Sequence, residues 1–469
     1  MTSRSSLGRC RSLCIDTESK GDTHMVHHLH CRWPSSISKA AVALLVATAT
    51  IVAQAGDVVI KYSLWDANQR PAYQACVDQF EKENPSIHIK ISQVVWEQYF
   101  TVLATQFVSG TAPDVFENHL LKYPEMMTNG QLVDLAPYMQ RDKVVTSGYY
   151  PSLLENWTRN GHQYGLPKDW DTIALVYNKQ MFKDAGIDPA SIETWTWNDR
   201  DGGTFQKAIA RLTIDDNGNR GDSPKFDAQH VKVRGYQVAT AGGMMGQTQW
   251  SSFAVSEGFR FNDGPWSTNY HYDDPRLART LDWIVSLSKK GYSAPFDQAN
   301  KLGPAEFFAA GKTAMIADGS WMINWYTQNA KFGVGYGLLP KGPEGRATMF
   351  NGLADSIWTG SQHKEESWKW VKFLASASCQ SIVAQHAVVF PAIQSLDHVV
   401  VDIHAKQGID TQAFLEMAKT TTFQPPIAIG GAEIDAIMNS TIESILLGRV
   451  NAVTALKDAN VKVNEVTHR

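Results

Sequence analysis

The sequence predicts an α/β protein of two doubly wound lobes, and three observations carry that prediction. The first is a β-α-β-α-β succession near the start of the chain. Residues 58–64 read as a strand, Tyr73, Cys76, Val77 and Phe80 recur at helical spacing until Asn84-Pro85, and Ile87, Ile89 and Ile91 alternate as a second strand. Tyr99, Leu103 and Phe107 then mark a second helix that stops at Gly110, and residues 112–116 enter a third strand. The second observation is a strand, tight turn and helix far along the chain. Residues 305–310 form a helix stopped by Gly311, 313–317 a short apolar strand, Gly319-Ser320 the turn, and 322–329 the next helix. The third is size, because 469 residues exceed one ordinary core and suffice for two.

Composition narrows the function classes. Hydrophobic residues make up 43% and charged residues 19%, with a formal net charge of −4, so the basic excess of a nucleic-acid binder is missing. Fifteen Trp and fifteen Tyr permit carbohydrate binding without establishing it.

The first 55 residues read as an N-terminal extension and a secretory signal peptide. Arg32 and Lys39 precede the apolar stretch 40–52, and Ala53-Gln54-Ala55 supplies the small-x-small pattern before Gly56. The apolar core is short for a membrane span, so an exported, unanchored protein is expected. Upstream, Cys10, Cys14, Cys31 and the cluster His24, His27, His28 and His30 read either as a metal-binding tail or as the product of an early start, with Met25 the true one. Downstream, Cys76 and Cys379 are the remaining cysteines. They form one bridge in an oxidising compartment or stay as two buried thiols, and the sequence leaves both open.

In an open α/β sheet, ligands gather at the carboxyl ends of the strands. Those ends are Trp65-Asp66 and Glu117-Asn118 in the first lobe and Gly319-Ser320-Trp321 in the second. A sugar has an apolar C–H face and a rim of hydroxyls, so the Trp321 indole beside hydrogen-bonding groups suits it; the alternative is a tryptophan packed at a helix start. Asp215-Asp216-Asn217-Gly218-Asn219 fails the spacing of a calcium loop and reads as an Asn-Gly turn, so no metal or cofactor is expected.

Residues 311–321, GKTAMIADGSW, resemble the G-K-x-A-M-x-x-x-G-x-W signature of family 1 extracellular solute-binding proteins, the sugar-binding components of ABC importers related to the maltose-binding protein. Tyr164-Gly165-Leu166-Pro167, the run to Tyr177-Asn178, the Leu339-Pro340 to Gly345 run, Asn351-Gly352-Leu353 and Phe390-Pro391 follow in the family's order. The resemblance covers nearly all of the chain from Val58 onward. It implies a periplasmic binding protein-like fold of type II, with crossing hinge segments between lobes made of residues 56–170 plus 355–410 and 171–354 plus 411–469. It also implies that Asp171, at the first crossing, accepts sugar hydroxyls, the alternative being an Asp that caps a turn.

The ligand-binding set expected on these grounds is Trp65, Asp66, Asn118, Asp169, Asp171, Trp250, Gly319, Trp321 and Asn351. By resemblance, the partners are a carbohydrate and the membrane subunits of an ABC transporter, the location is the periplasm, and a monomer suffices. Two rival readings remain. A secreted glycoside hydrolase would need two facing carboxylates, for which Asp66, Asp169 and Asp171 are candidates. The same fold could also hold a glycerol phosphate, a polyamine or iron. A Ser-His-Asp esterase is disfavoured, since no G-x-S-x-G elbow occurs.

Overall fold

The computed structural model describes residues 56–238 and 240–469, so the signal peptide and the His/Cys tail lie outside the described residues. The first lobe is built on a five-stranded sheet ordered Ile87–Gln93, Val58–Leu64, Val115–Asn118, Ala354–Ile357 and Leu166–Pro167. Its first three strands are parallel, as the β-α-β-α-β pattern requires. The strand Ala354–Ile357 returns from the other lobe and pairs antiparallel with Val115–Asn118. Helix Arg70–Glu83 buries Tyr73, Cys76, Val77 and Phe80, the stripe read from the sequence, and Gly110 closes helix Trp96–Ser109 at φ 68°.

The second lobe centres on Ile173–Asn178, flanked by Met315–Gly319 and Val334–Gly337, and both pairings are antiparallel. The parallel, doubly wound order therefore belongs to the first lobe. In the second, the central strand is the one that arrives from the crossing. Every residue of that strand is buried, and the two-residue period sends Ile173, Leu175 and Tyr177 into one core and Ala174 and Val176 into another.

The crossings lie side by side. Asp171 and Asn351 form an antiparallel bridge, and Phe350 N–H donates to Phe423 O at 2.9 Å. Trp170 stacks on Phe350 and Phe390 on the face opposite Asp169 and Asp171. Cys76 is joined to Cys379 of helix Ala377–His386, a disulfide across 303 residues that ties the two chain segments of the first lobe. The bridge, and not the pair of thiols, is what forms. The 215–219 turn is also local: Asp215 Oδ1 accepts the N–H groups of Asn217 and Asn219, and Oδ2 that of Asp227.

Candidate functional site

The first crossing, Asp169 to Thr172, is the floor of the candidate site. Alternation puts Asp169 and Asp171 on one face, both buried. Asp171 Oδ1 accepts from Gln247 Nε2 at 2.7 Å. Burial first, and then the neighbouring Asp169 charge, push the Asp171 carboxyl well above the usual range, while hydrogen bonds from Gln247 and Asn351 pull the other way. Asp169 Oδ1 accepts Leu353 N–H at 2.8 Å, and burial raises its pKa to about 6. Asp169 Oδ2 and Asn351 Oδ1 are buried without a hydrogen-bond partner among the described residues. Carboxylates are acceptor-only when ionised, so this floor is short of donors.

Gly319, Ser320 and Trp321 form the second-lobe wall. Gly319 pairs with Ile173, and Ser320 N–H donates to Thr172 O at 3.2 Å, so the turn that carries Trp321 abuts the two residues after Asp171. A Cβ on Gly319 would stand 1.9 Å from the indole ring of Trp321, so glycine is what lets the indole lie on the strand end. Trp321 is half-buried and packs against both main cores. It is therefore neither free nor sealed in a core.

On the first-lobe wall, Trp65 is half-buried, edge-on to Trp96 at 5.1 Å and to Tyr99 at 5.1 Å, and 6.5 Å from the His119 ring. His119 Nδ1 accepts Leu121 N–H at 3.2 Å, which leaves the ring proton on Nε2; Asn351 Nδ2, 3.5 Å away, is itself a donor and does not take it. Burial, with help from Lys122, lowers its pKa to about 3, so the imidazole is neutral and able to donate.

Two expected site residues, Asn118 and Trp250, are fully buried and bonded within the fold. Asn118 is fully buried, and its side chain bonds His119 N–H, Ser356 Oγ and Met126 Sδ; it fixes the strand end while His119, the next residue, reaches Asn351. Trp250 is 1% exposed and donates to Ala241 O, so it is a core side chain. Its ring fills the space a Cβ on Gly246 would need. Asp66 accepts from Asn68 N–H and Gln69 Nε2 ahead of helix Arg70–Glu83, and its charge also acts on Asp169.

His119 and Gln247 were not singled out from the sequence. The signal for His119 was present, since it follows Asn118 at a strand end and a one-residue change reverses the face. Gln247 sits in a loop shaped by Gly242, Gly243 and Gly246, each at positive φ, and no pattern marks it.

Residues 66–380 match the family of bacterial extracellular solute-binding proteins. A putative binding protein of Brucella abortus is 24% identical over 432 residues, covering 88% of this chain and 94% of the relative. The sn-glycerol-3-phosphate-binding periplasmic protein of Escherichia coli K12 is 22% identical over 424 residues, 83% of this chain and 88% of the relative. Among solved structures, an ABC substrate-binding protein of Listeria monocytogenes in complex with cycloalternan superposes with a TM-score of 0.75 at 22% identity, covering 87% of this chain and 98% of that one. With two-thirds of its length matched and the two-lobed architecture shared, the chain belongs to the bacterial extracellular solute-binding proteins, the binding components of ABC importers.

Proposed function

We propose that this protein binds a sugar, a mono- or oligosaccharide, between its lobes and delivers it to the membrane subunits of an ABC importer. One observation carries the reading: the Trp321 indole rests on Gly319, and the Gly319-Ser320 turn is bonded to Thr172 and Ile173, which follow directly on the crossing that pairs Asp171 with Asn351. The indole matches the C–H face of a sugar ring, and the oxygens of Asp171 and Asn351 match its hydroxyl donors. Gln247 and neutral His119 add donors for ring and hydroxyl oxygens. A ligand touching both walls stabilises the closed arrangement by its differential affinity, and the closed shape is what a permease would read. On this reading residues 40–55 export the chain to the periplasm.

The test is thermal unfolding against mono- and oligosaccharides, glycerol phosphates and polyamines, followed by calorimetric titration of the sugar that raises the midpoint. A ligand at a hundredfold excess over its Kd adds about 2.7 kcal/mol. Trp321→Ala should weaken that sugar by tenfold or more, about 1.4 kcal/mol or above, while the free protein still unfolds in one cooperative transition, its midpoint lowered by the packing lost from the two cores. Shifts with glycerol phosphate or polyamines alone would overturn the sugar assignment and keep the transport role. Release of a shortened sugar on long incubation would move the protein to the hydrolases.

A further inference from the structure

Beneath the first-lobe wall lies a charge cluster that ligand contact does not use. Lys168 and Glu117 side chains are each 1% exposed, with Nζ 2.7 Å from Oε1. The same ammonium stands 3.2 Å from the Tyr62 hydroxyl, 4.0 Å from Asp355 Oδ1 and 4.1 Å from the centre of the Tyr73 ring. Tyr62 in turn donates to Asp355 Oδ1 at 2.9 Å. Asp169 is the neighbour of Lys168 along the chain, so three buried carboxyls share one cation.

The cluster is wired to the cleft at both ends. Glu117 Oε2 accepts the backbone N–H of Trp65 at 3.1 Å, and the Tyr99 hydroxyl donates to Glu117 O at 2.9 Å. Lys168 N–H donates to Leu353 O at 3.0 Å, and Ala392 N–H to Lys168 O at 3.3 Å, three residues ahead of Asp171. An ion pair this deep is a weak source of stability, because desolvation offsets most of the attraction and an apolar pair of similar volume often serves as well. Its directionality is what an apolar pair lacks.

We infer that Lys168 and Glu117 are positioning residues of the cleft: Glu117 fixes the backbone of Trp65, Lys168 fixes the crossing that carries Asp171, and their pairing couples the two. The inference rests on the reading of the cleft as the ligand site. Trp65 should accordingly report the charge state of the cluster. Burial raises Glu117 to about 7, against the pull of Lys168, and Asp169 to about 6. The other groups facing Glu117 are Asp355, raised by burial, and Tyr62, Tyr73 and Tyr99, all held neutral by burial. His119, beside Trp65, is neutral across the same range.

The experiment needs no ligand, so it stands apart from the sugar screen. The full chain is labelled with 5-fluorotryptophan, and the fluorine resonances of Trp65 and of Trp283, in the second-lobe core, are assigned with Trp65→Phe and Trp283→Phe. Between roughly pH 5.5 and 8.5 the Trp65 resonance should titrate while that of Trp283 stays fixed. Glu117→Gln should abolish the titration or move its midpoint, and Lys168→Met should move it upward, by about one to three pH units, because the cation that favours the ionised carboxyl is gone. A Trp65 resonance flat over this range in the unmutated protein would overturn the inference, whether or not either variant folds. So would an unchanged midpoint in Glu117→Gln.

Discussion

The sheets of the two lobes end at the same cleft but are held there differently. In the first lobe the cleft end rests on Lys168, Glu117, Asp355 and Tyr62, buried and mutually bonded. In the second, strand Ile173–Asn178 is apolar for most of its length, and the buried carboxyl at the cleft end, Asp318, is satisfied locally by Gly319 N–H and the Tyr326 hydroxyl. The difference follows from assembly. The first sheet collects strands from residues 58–118, 166–167 and 354–357, whereas the strands beside Ile173–Asn178 lie within residues 315–337. Apolar contact is non-directional, whereas a bonded ion pair between distant segments also fixes the direction of each group.

The largest effect that would sharpen this contrast is on stability. Lys168→Met leaves Glu117 and Asp355 buried without their cation and should cost about 3–5 kcal/mol in urea unfolding. Tyr326→Phe in the second lobe removes one bond to Asp318 and should cost about 1–3 kcal/mol. Equal losses would break the comparison. Next comes the bridge between helices Arg70–Glu83 and Ala377–His386: replacing Cys76 and Cys379 by Ala should cost about 2–5 kcal/mol. Hydrogen exchange should show the loss in Val58–Leu64 and Val115–Asn118 and spare Ile173–Asn178. Uniform loss across both sheets would mean that the lobes do not open separately.

Acidity gives the third effect. Glu117 at about 7 and Asp169 and Asp318 at about 6 bind more protons folded than unfolded, so their contribution is full below the ordinary carboxyl range and is lost as pH rises toward 7. His119 at about 3 and His404 at about 4 act in the opposite sense, and their contribution is lost as pH falls below the ordinary histidine value. The unfolding midpoint should therefore peak on the acid side of neutrality. Two of the three carboxyls belong to the first-lobe cluster, so Glu117→Gln should flatten the limb between roughly pH 5 and 7 more than Asp318→Asn does.

The same contrast explains what the sequence disclosed. Periodicity and glycine stops located the strands and helices of the first lobe to within a few residues, and the 311–321 run located the turn that carries Trp321. These signals are local. Lys168 gave none, because its partners lie 51 and 187 residues away and only the folded sheet brings them together. Asn118 and Trp250, expected at the ligand, lie buried in the fold, because strand ends blur the alternating face and burial is a property of the whole lobe. The antiparallel centre of the second lobe was hidden for a related reason: strand direction there is set by where the crossing enters.

The smallest expected effect tests how firmly the two sheets are held against each other. The loop between Phe261 and Tyr270, both in the second-lobe core, carries Trp266 across to the first lobe, where its ring lies 4.0 Å under the Arg159 guanidinium and edge-on to Tyr123 at 5.7 Å. Trp266 has φ 62°, a left-handed backbone that costs a side-chain-bearing residue about 1–3 kcal/mol and persists only where surroundings impose it. A cation over an indole returns about 0.5–2 kcal/mol. Contact and strain are thus comparable, which makes this a weak latch between lobes, its ring only partly buried against the first-lobe cluster of Tyr123 and Trp157. Arg159→Ala should leave the unfolding midpoint within the range of ordinary surface substitutions, enlarge the radius of gyration in solution scattering, and weaken by a few-fold the sugar found in the screen. An unchanged radius with unchanged affinity would show that the crossings alone set the angle between the sheets.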